Sequence, residues 1–229
     1  RVLMQRVREL PVIEAATIAR AIPLDFDGSG GDIVVEGRPA GDDRLQVGAS
    51  TVDEEYFRTM GTRILNGRPF TARDTATSPP VIIVNETMAK HLWPGRDPIG
   101  RRLQWDIPDG PFLEVVGVAA DGKYRMLTES PRPHIFLPIA QRPRPRLAMV
   151  ASYRGDVGTA LKAIGDTVKA IDPNMPIFET KTMDQHMERA MMAPRLSAML
   201  AGPAGGLAAL IAAIGLYGVM AYSVSRRTQ

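Results

Sequence analysis

Val2, Leu3, Val7 and Leu10 recur at helical spacing, and Pro11 stops the helix they predict. The apolar run 12–19, "VIEAATIA", predicts a strand. "DFDGSGGD" (25–32) predicts a loop, and "DIVVEG" and "LQVGAST" predict short strands around a turn at "RPAGDD". "DEEYFRTMG" predicts a short helix with acidic residues in its first turn and Gly61 at its end. At "PPVIIVNETMAKHLWPG" the period changes from that of a buried strand, 81–84, to that of a helix, 86–91, with Asn85 as its cap. Further strands follow at "RRLQW", "LEVVGVAAD", "PHIFLPIAQ" and "LAMVASYR", with an extended linker "QRPRPR" (141–146) before the last. Val157, Leu161, Ile164, Val168 and Ile171 mark one face of an amphipathic helix, "PIFET" (176–180) a closing strand, and "MDQHMERAMMAPR" a further helix.

That helix runs into a stretch of another kind. From Leu196 to Ser225 no residue carries a charge, with Arg195 on one side and Arg226 and Arg227 on the other. As a helix it would reach about 45 Å, more than the ~20 residues a bilayer core needs, so it predicts a transmembrane helix. Gly202-Pro203 could kink or start that helix, Tyr217 and Tyr222 suit an interface, and Gly202 and Gly206 form a GxxxG for close helix contact. Arginines flank both ends, so the positive-inside count leaves the orientation open.

Composition narrows the picture further. In 229 residues, 45% are apolar and 23% charged, which is normal for a folded domain. A net charge of +3 without a clustered basic face gives no nucleic-acid footprint. Cysteine is absent, which excludes disulfides, thiolate nucleophiles and iron–sulfur ligation. "GSGGD" lacks the Lys-Ser/Thr of a phosphate loop. His91, His134 and His186 lack partners at metal-ligand spacing, and His91 reads as a helix-end cation. No G-x-S-x-G elbow occurs. Asp42-Asp43 and Glu54-Glu55 read as solvated charges, Arg142, Arg144 and Arg146 as a solvated linker, and Trp93 and Trp105 as core. No residue is assigned as catalytic, cofactor-binding or metal-binding, and no cofactor is expected.

"VDEEYFRTMG…ILNGRPFTARD", "VIIVNETMAKHLWPGRDPIGRRL", "LEVVGVAAD", "IDPNMPIFETKTMDQHM" and "LAALIAAIGLYGVMAYSVSRRTQ" occur in this order. Together they resemble the MacB-like, FtsX-type permeases of ABC transporters, most closely the duplicated bacterial permeases of that family. The resemblance implies an α+β fold: a split βαβ, Porter-like domain (1–64 and 141–188) carrying a strand-rich, Sabre-like insertion (65–140). A stalk and a C-terminal transmembrane helix (189–229) would follow. It implies placement in the bacterial cytoplasmic membrane, with residues 1 to about 195 extracytoplasmic and Arg226 onward cytoplasmic. The chain is then expected to be a piece of a permease that stops short of a cytoplasmic coupling helix and lacks a preceding first transmembrane helix. It has no Walker motif, so an ABC ATPase subunit is the implied partner. A second permease copy or half, a periplasmic adaptor and membrane lipid complete the expected set, with no nucleic acid. The implied function is not enzymatic. It is efflux or extracytoplasmic work driven by mechanotransmission from ATP hydrolysis on the partner. The alternative is an FtsX-like regulatory or scaffolding permease that controls a cell-envelope enzyme without transport.

Overall fold

The structure is a computed structural model that describes residues 2–25, 29–37, 45–105, 110–143, 146–188, and 191, 208, 211, 212, 214 and 215. The chain divides into two units, 1–180 and 181–229. In the first, α1 (Val2–Arg8) leads into β1 (Ile13–Ala19), followed by β2 (Ser29–Val35), β3 (Leu45–Val52), α2 (Tyr56–Thr59) and β4 (Ile64–Gly67). Then come β5 (Val81–Asn85), α3 (Glu86–Leu92), β6 (Arg102–Trp105), β7 (Leu113–Ala119), β8 (His134–Pro138), β9 (Ala148–Tyr153) and α4 (Val157–Ile171).

Six of these strands close on themselves. Pairing runs β2–β6–β7–β5–β8–β3, and β3 pairs back with β2. The β3–β8 and β5–β7 pairs are parallel and the others in the ring antiparallel. Closure removes the exposed edges that an open sheet would present. Strand period sorts the side chains into two faces. Ile33 and Val35, Val47 and Ala49, Ile82 and Val84, Leu103 and Trp105, Leu113 and Val115, and Ile135 and Leu137 all fall in one buried cluster. Met88, Leu92 and Trp93 of α3 and its C-cap join them. The alternate residues Val52, Val81, Ile83 and Phe136 face the other way and pack with Tyr56, Phe57 and Phe70.

The α3 start follows from its cap. The Asn85 side chain accepts a hydrogen bond from the Met88 amide at 3.1 Å, satisfying one orphan N–H of the first turn. Gly61, at φ +65°, ends the α2 segment in the left-handed region that favours glycine.

A smaller layer joins this ring at one point. β1 pairs with β3 only at Ala19↔Val52, then with β9 along its length. α1 and α4 cover this pair in a cluster of Met4, Val7, Ile13, Ala16 and Ala160.

Several expectations from the sequence need correction. Residues 29–32 of the expected loop lie in β2, paired with residues 46–49 of β3, because a cross-strand partner outweighs local glycine content. β4 was not foreseen, since four residues carry no periodic signal; it pairs with β7. No acidic residue lies in the first turn of α2, where Glu55 is instead the N-cap residue. On α4 the buried residues are Ala160 and Val168, while Leu161 is 39% exposed. The expected closing strand at 176–180 is absent, and Phe178 stands 80% exposed. The expected linker is docked at its start. The Gln141 side chain accepts from the Val81 amide and donates to the Pro79 carbonyl, and the Arg142 guanidinium lies 5.3 Å from the Trp105 ring.

In the second unit, residues 183–188 are helical. Among the described residues no helix is long and apolar enough to cross a membrane. The expected span, 196–225, lies almost wholly outside them, as do Asp42, Asp43 and Arg144.

Candidate functional site

Two constellations stand out, and both lie along β3. The first ties the ring to the smaller layer. Asp53 follows β3 and is buried. One carboxylate oxygen accepts from the Arg8 guanidinium at 2.6 Å and the Ile18 amide at 3.2 Å. The other accepts from the Thr17 hydroxyl and the Glu55 amide. Arg8 also donates to the Ala16 carbonyl at 2.8 Å. α1, β1 and the β3–α2 turn are thus fastened through one carboxylate where the two regions share a single ladder pair. Burial raises the Asp53 pKa, while Thr17, Ile18 and Arg8 pull it down.

The second constellation lies at the parallel β3–β8 seam, on the face away from the ring interior. Register sets Gly48 beside His134 and Ser50 beside Phe136. Ser50 Oγ is 3.0 Å from His134 Nε2. The Tyr124 ring stacks on the imidazole at a centroid distance of 3.7 Å and 3°. Asn85 holds the intervening 120–133 strap at both ends. Its amide nitrogen donates to Asp121 at 2.6 Å and to the Arg132 carbonyl at 2.8 Å, and its oxygen accepts the His134 amide at 2.9 Å. With Met88 as the fourth partner, every hydrogen-bonding position of that buried amide is used.

A serine beside a histidine suggests nucleophile activation, and the geometry does not supply it. A general base works best with a pKa near the working pH. Burial, with the nearby Arg132 charge, lowers that of His134 to about 3. No carboxylate orients the ring, since Nδ1 has no hydrogen-bond partner among the described residues. Of the other residues weighed from sequence, His91 lies in the last turn of α3 and Glu55 pairs with Arg58. Glu54 sits 4.0 Å from Arg8. Trp93 and Trp105 are core, as expected. His134 does not meet the other two histidines in a metal site: among the described residues no group of three His, Asp or Glu side chains could hold an ion. The Ser50–His134 contact and the Asp53 latch were missed in the sequence. Ser50 and His134 lie 84 residues apart, and Asp53 lies 36 and 45 residues from Thr17 and Arg8, so only tertiary packing joins them.

With this geometry in hand, comparison with known proteins decides the family. The description "MacB-like periplasmic core domain" matches residues 2–172. The chain belongs to that family. A probable export ATP-binding/permease protein of Pseudomonas fluorescens (strain Pf0-1) is 23% identical over 197 residues, 81% of this chain. The chain spans 29% of that relative's length. The periplasmic region of MacB from Actinobacillus actinomycetemcomitans shares the fold at a TM-score of 0.53 and 16% identity, over 74% of this chain and 72% of that one. The extracellular domain of the noncanonic ABC-type transporter YknZ from Gram-positive bacteria aligns at a TM-score of 0.51 and 13% identity, covering 76% and 82%. The mixed α+β architecture expected from the sequence is therefore that of a MacB-like periplasmic core domain.

Proposed function

We propose that this MacB-like domain works in a permease that couples ATP hydrolysis on a separate ABC ATPase subunit to export, by transmitting motion through its stalk. The family match over residues 2–172 carries this reading. The name of the Pseudomonas relative, a probable export ATP-binding/permease protein, supports it. So does the exposure of Ile211 (62%) and Ile214 (65%) on helical residues of the apolar tail, as a lipid-facing helix requires. In this proposal residues 189–229 form the stalk and membrane helix, with Arg226 onward cytoplasmic. Residues 1–64 and 141–188 act as the Porter-like part, and 65–140 as the Sabre-like insertion that borrows 29–52 to close its ring. A second permease copy, a periplasmic adaptor and membrane lipid are the further partners proposed.

The test places a helix break in residues 183–195, the end of the Porter-like part and start of the stalk, which in this proposal convey motion between the two. Met187 lies in the helical stretch 183–188, and proline there removes an amide donor and clashes with the preceding turn. In the full permease with its ATPase in membrane vesicles, Met187→Pro should leave ATP hydrolysis in place and abolish efflux. Export unchanged from that of the unaltered permease would overturn the coupling. A wild-type complex that moves nothing and instead activates a cell-envelope hydrolase would point to the regulatory permease.

A further inference from the structure

The cavity on the outer face of the β3–β8 seam has no part in the coupling proposed above. Ala21, Ile22, Gly48, Ser50, Tyr124 and His134 line it, with Asp25, Arg125 and Arg132 also on its wall. It offers about 20 Å³ to water-sized guests, enough for one oxygen-sized group and too little for a whole metabolite.

One orphaned nitrogen points to a polar guest. His134 is 4% exposed, and its Nδ1 has no hydrogen-bond partner among the described residues. The Tyr124 hydroxyl is buried beside it, with the Gly122 backbone and the Asn85 side chain as its near polar neighbours. A buried polar nitrogen is costly to leave unpaired, so the cavity calls for a partner at Nδ1. Gly48 lets the imidazole pack against the β3 backbone: a Cβ there would lie 2.6 Å from His134 Nδ1. No positive φ requires that glycine, so contact with the ring is what requires it.

Charge decides the sign of the guest. Most charged side chains near the seam are committed elsewhere, Asp121 to Thr87 and Asn85, and Glu129 to the strap backbone. The Arg125 and Arg132 guanidinium groups have no ion pair among the described residues, and against them stands one carboxylate, Asp25. The Tyr124 hydroxyl, whose pKa burial raises, stays a donor. If the Ser50 hydroxyl donates to Nε2, the imidazole presents Nδ1–H as a second donor.

We propose that this cavity binds the carboxylate or phosphate end of a small anionic solute. One anion oxygen enters between Tyr124 Oη and His134 Nδ1, and the arginines hold the remainder at the mouth. Charge-assisted bonds from guanidinium to such a group are the strong, geometry-specific ones.

The test uses the full 229-residue chain, labelled with ¹⁵N-histidine and purified in detergent, with His134→Gln to assign the resonance. Acetate, inorganic phosphate, chloride and glycerol are titrated separately. Saturable movement of the His134 Nδ1 signal by acetate or phosphate is expected, and the tighter of the two names the source. Arg125→Ala and Arg132→Ala, on more exposed positions that leave the core untouched, should each weaken binding about tenfold. Gly48→Ala and Tyr124→Phe should abolish it while the thermal transition persists. The proposal fails if neither acetate nor phosphate moves the signal beyond what chloride does. It also fails if glycerol moves it equally, or if both arginine variants bind as tightly as the unaltered chain.

Discussion

The six-stranded ring and the α1–β1–β9–α4 layer use the same residue types and achieve different degrees of burial. In the ring every strand has neighbours on both sides, and its helix α3 buries Met88, Ala89 and Leu92. In the layer, β9 pairs on one side only among the described residues. Its helix α4 is twice as long and buries only Ala160 and Val168. Closure explains the difference. A closed sheet gives each inward side chain a facing partner, whereas one helix over two strands covers a stripe and leaves its flanks to solvent. The layer is the part whose apolar surface, Leu161 with the exposed Ile177 and Phe178, is left uncovered.

The sharpest way to break that contrast is one substitution made in both places. Leu92→Ala empties a site with no exposure and should cost about 2–5 kcal/mol in denaturant unfolding. Leu161→Ala should cost about 0.5 kcal/mol, as for an exposed position. Equal costs would mean that α4 is as well covered as α3.

The two helix caps make a second, smaller comparison. Asn85→Ala removes four hydrogen bonds at a buried position and leaves the His134 amide without its acceptor, so about 2–3 kcal/mol should be lost. Asp156→Ala on α4 removes an exposed cap that accepts from the Thr159 amide at 2.8 Å, and should cost less than the buried cap does. Chemical denaturation of both variants in parallel reads the ratio.

A pH-dependent effect also belongs to the ring. Unfolded, the His134 imidazole titrates near 6.5; folded, burial lowers it to about 3. Between those values the unfolded chain binds the extra proton. The contribution is fully present above pH 6.5 and is withdrawn as pH falls toward 3, at about 1.4 kcal/mol per unit. Unfolding free energies across that window should fall less steeply for His134→Gln than for the unaltered chain, and identical slopes would refute the assignment.

Local signals were enough where a segment settles its own structure. The strand-to-helix switch at 81–92, with Asn85 as cap, is written in period and capping chemistry. Gly61 ends α2 because only a glycine-tolerant conformation fits there. Local signals failed where pairing decides. "PIFET" reads as a closing strand and has no strand beside it among the described residues, while "SGGD" looks like a loop and is held in β2 by β3.

From sequence alone came the strand-to-helix switch at 81–92, the absence of cysteine chemistry and the resemblance that the family match bears out. Tertiary structure alone closed six strands into a ring. It also gathered Arg8, Thr17 and Asp53 at one joint and set Ser50, Tyr124 and His134 around one cavity. The reason is physical: periodicity and caps act over one or two turns of chain. Which strand lies beside which is decided by burial and ladder bonds between residues dozens of positions apart.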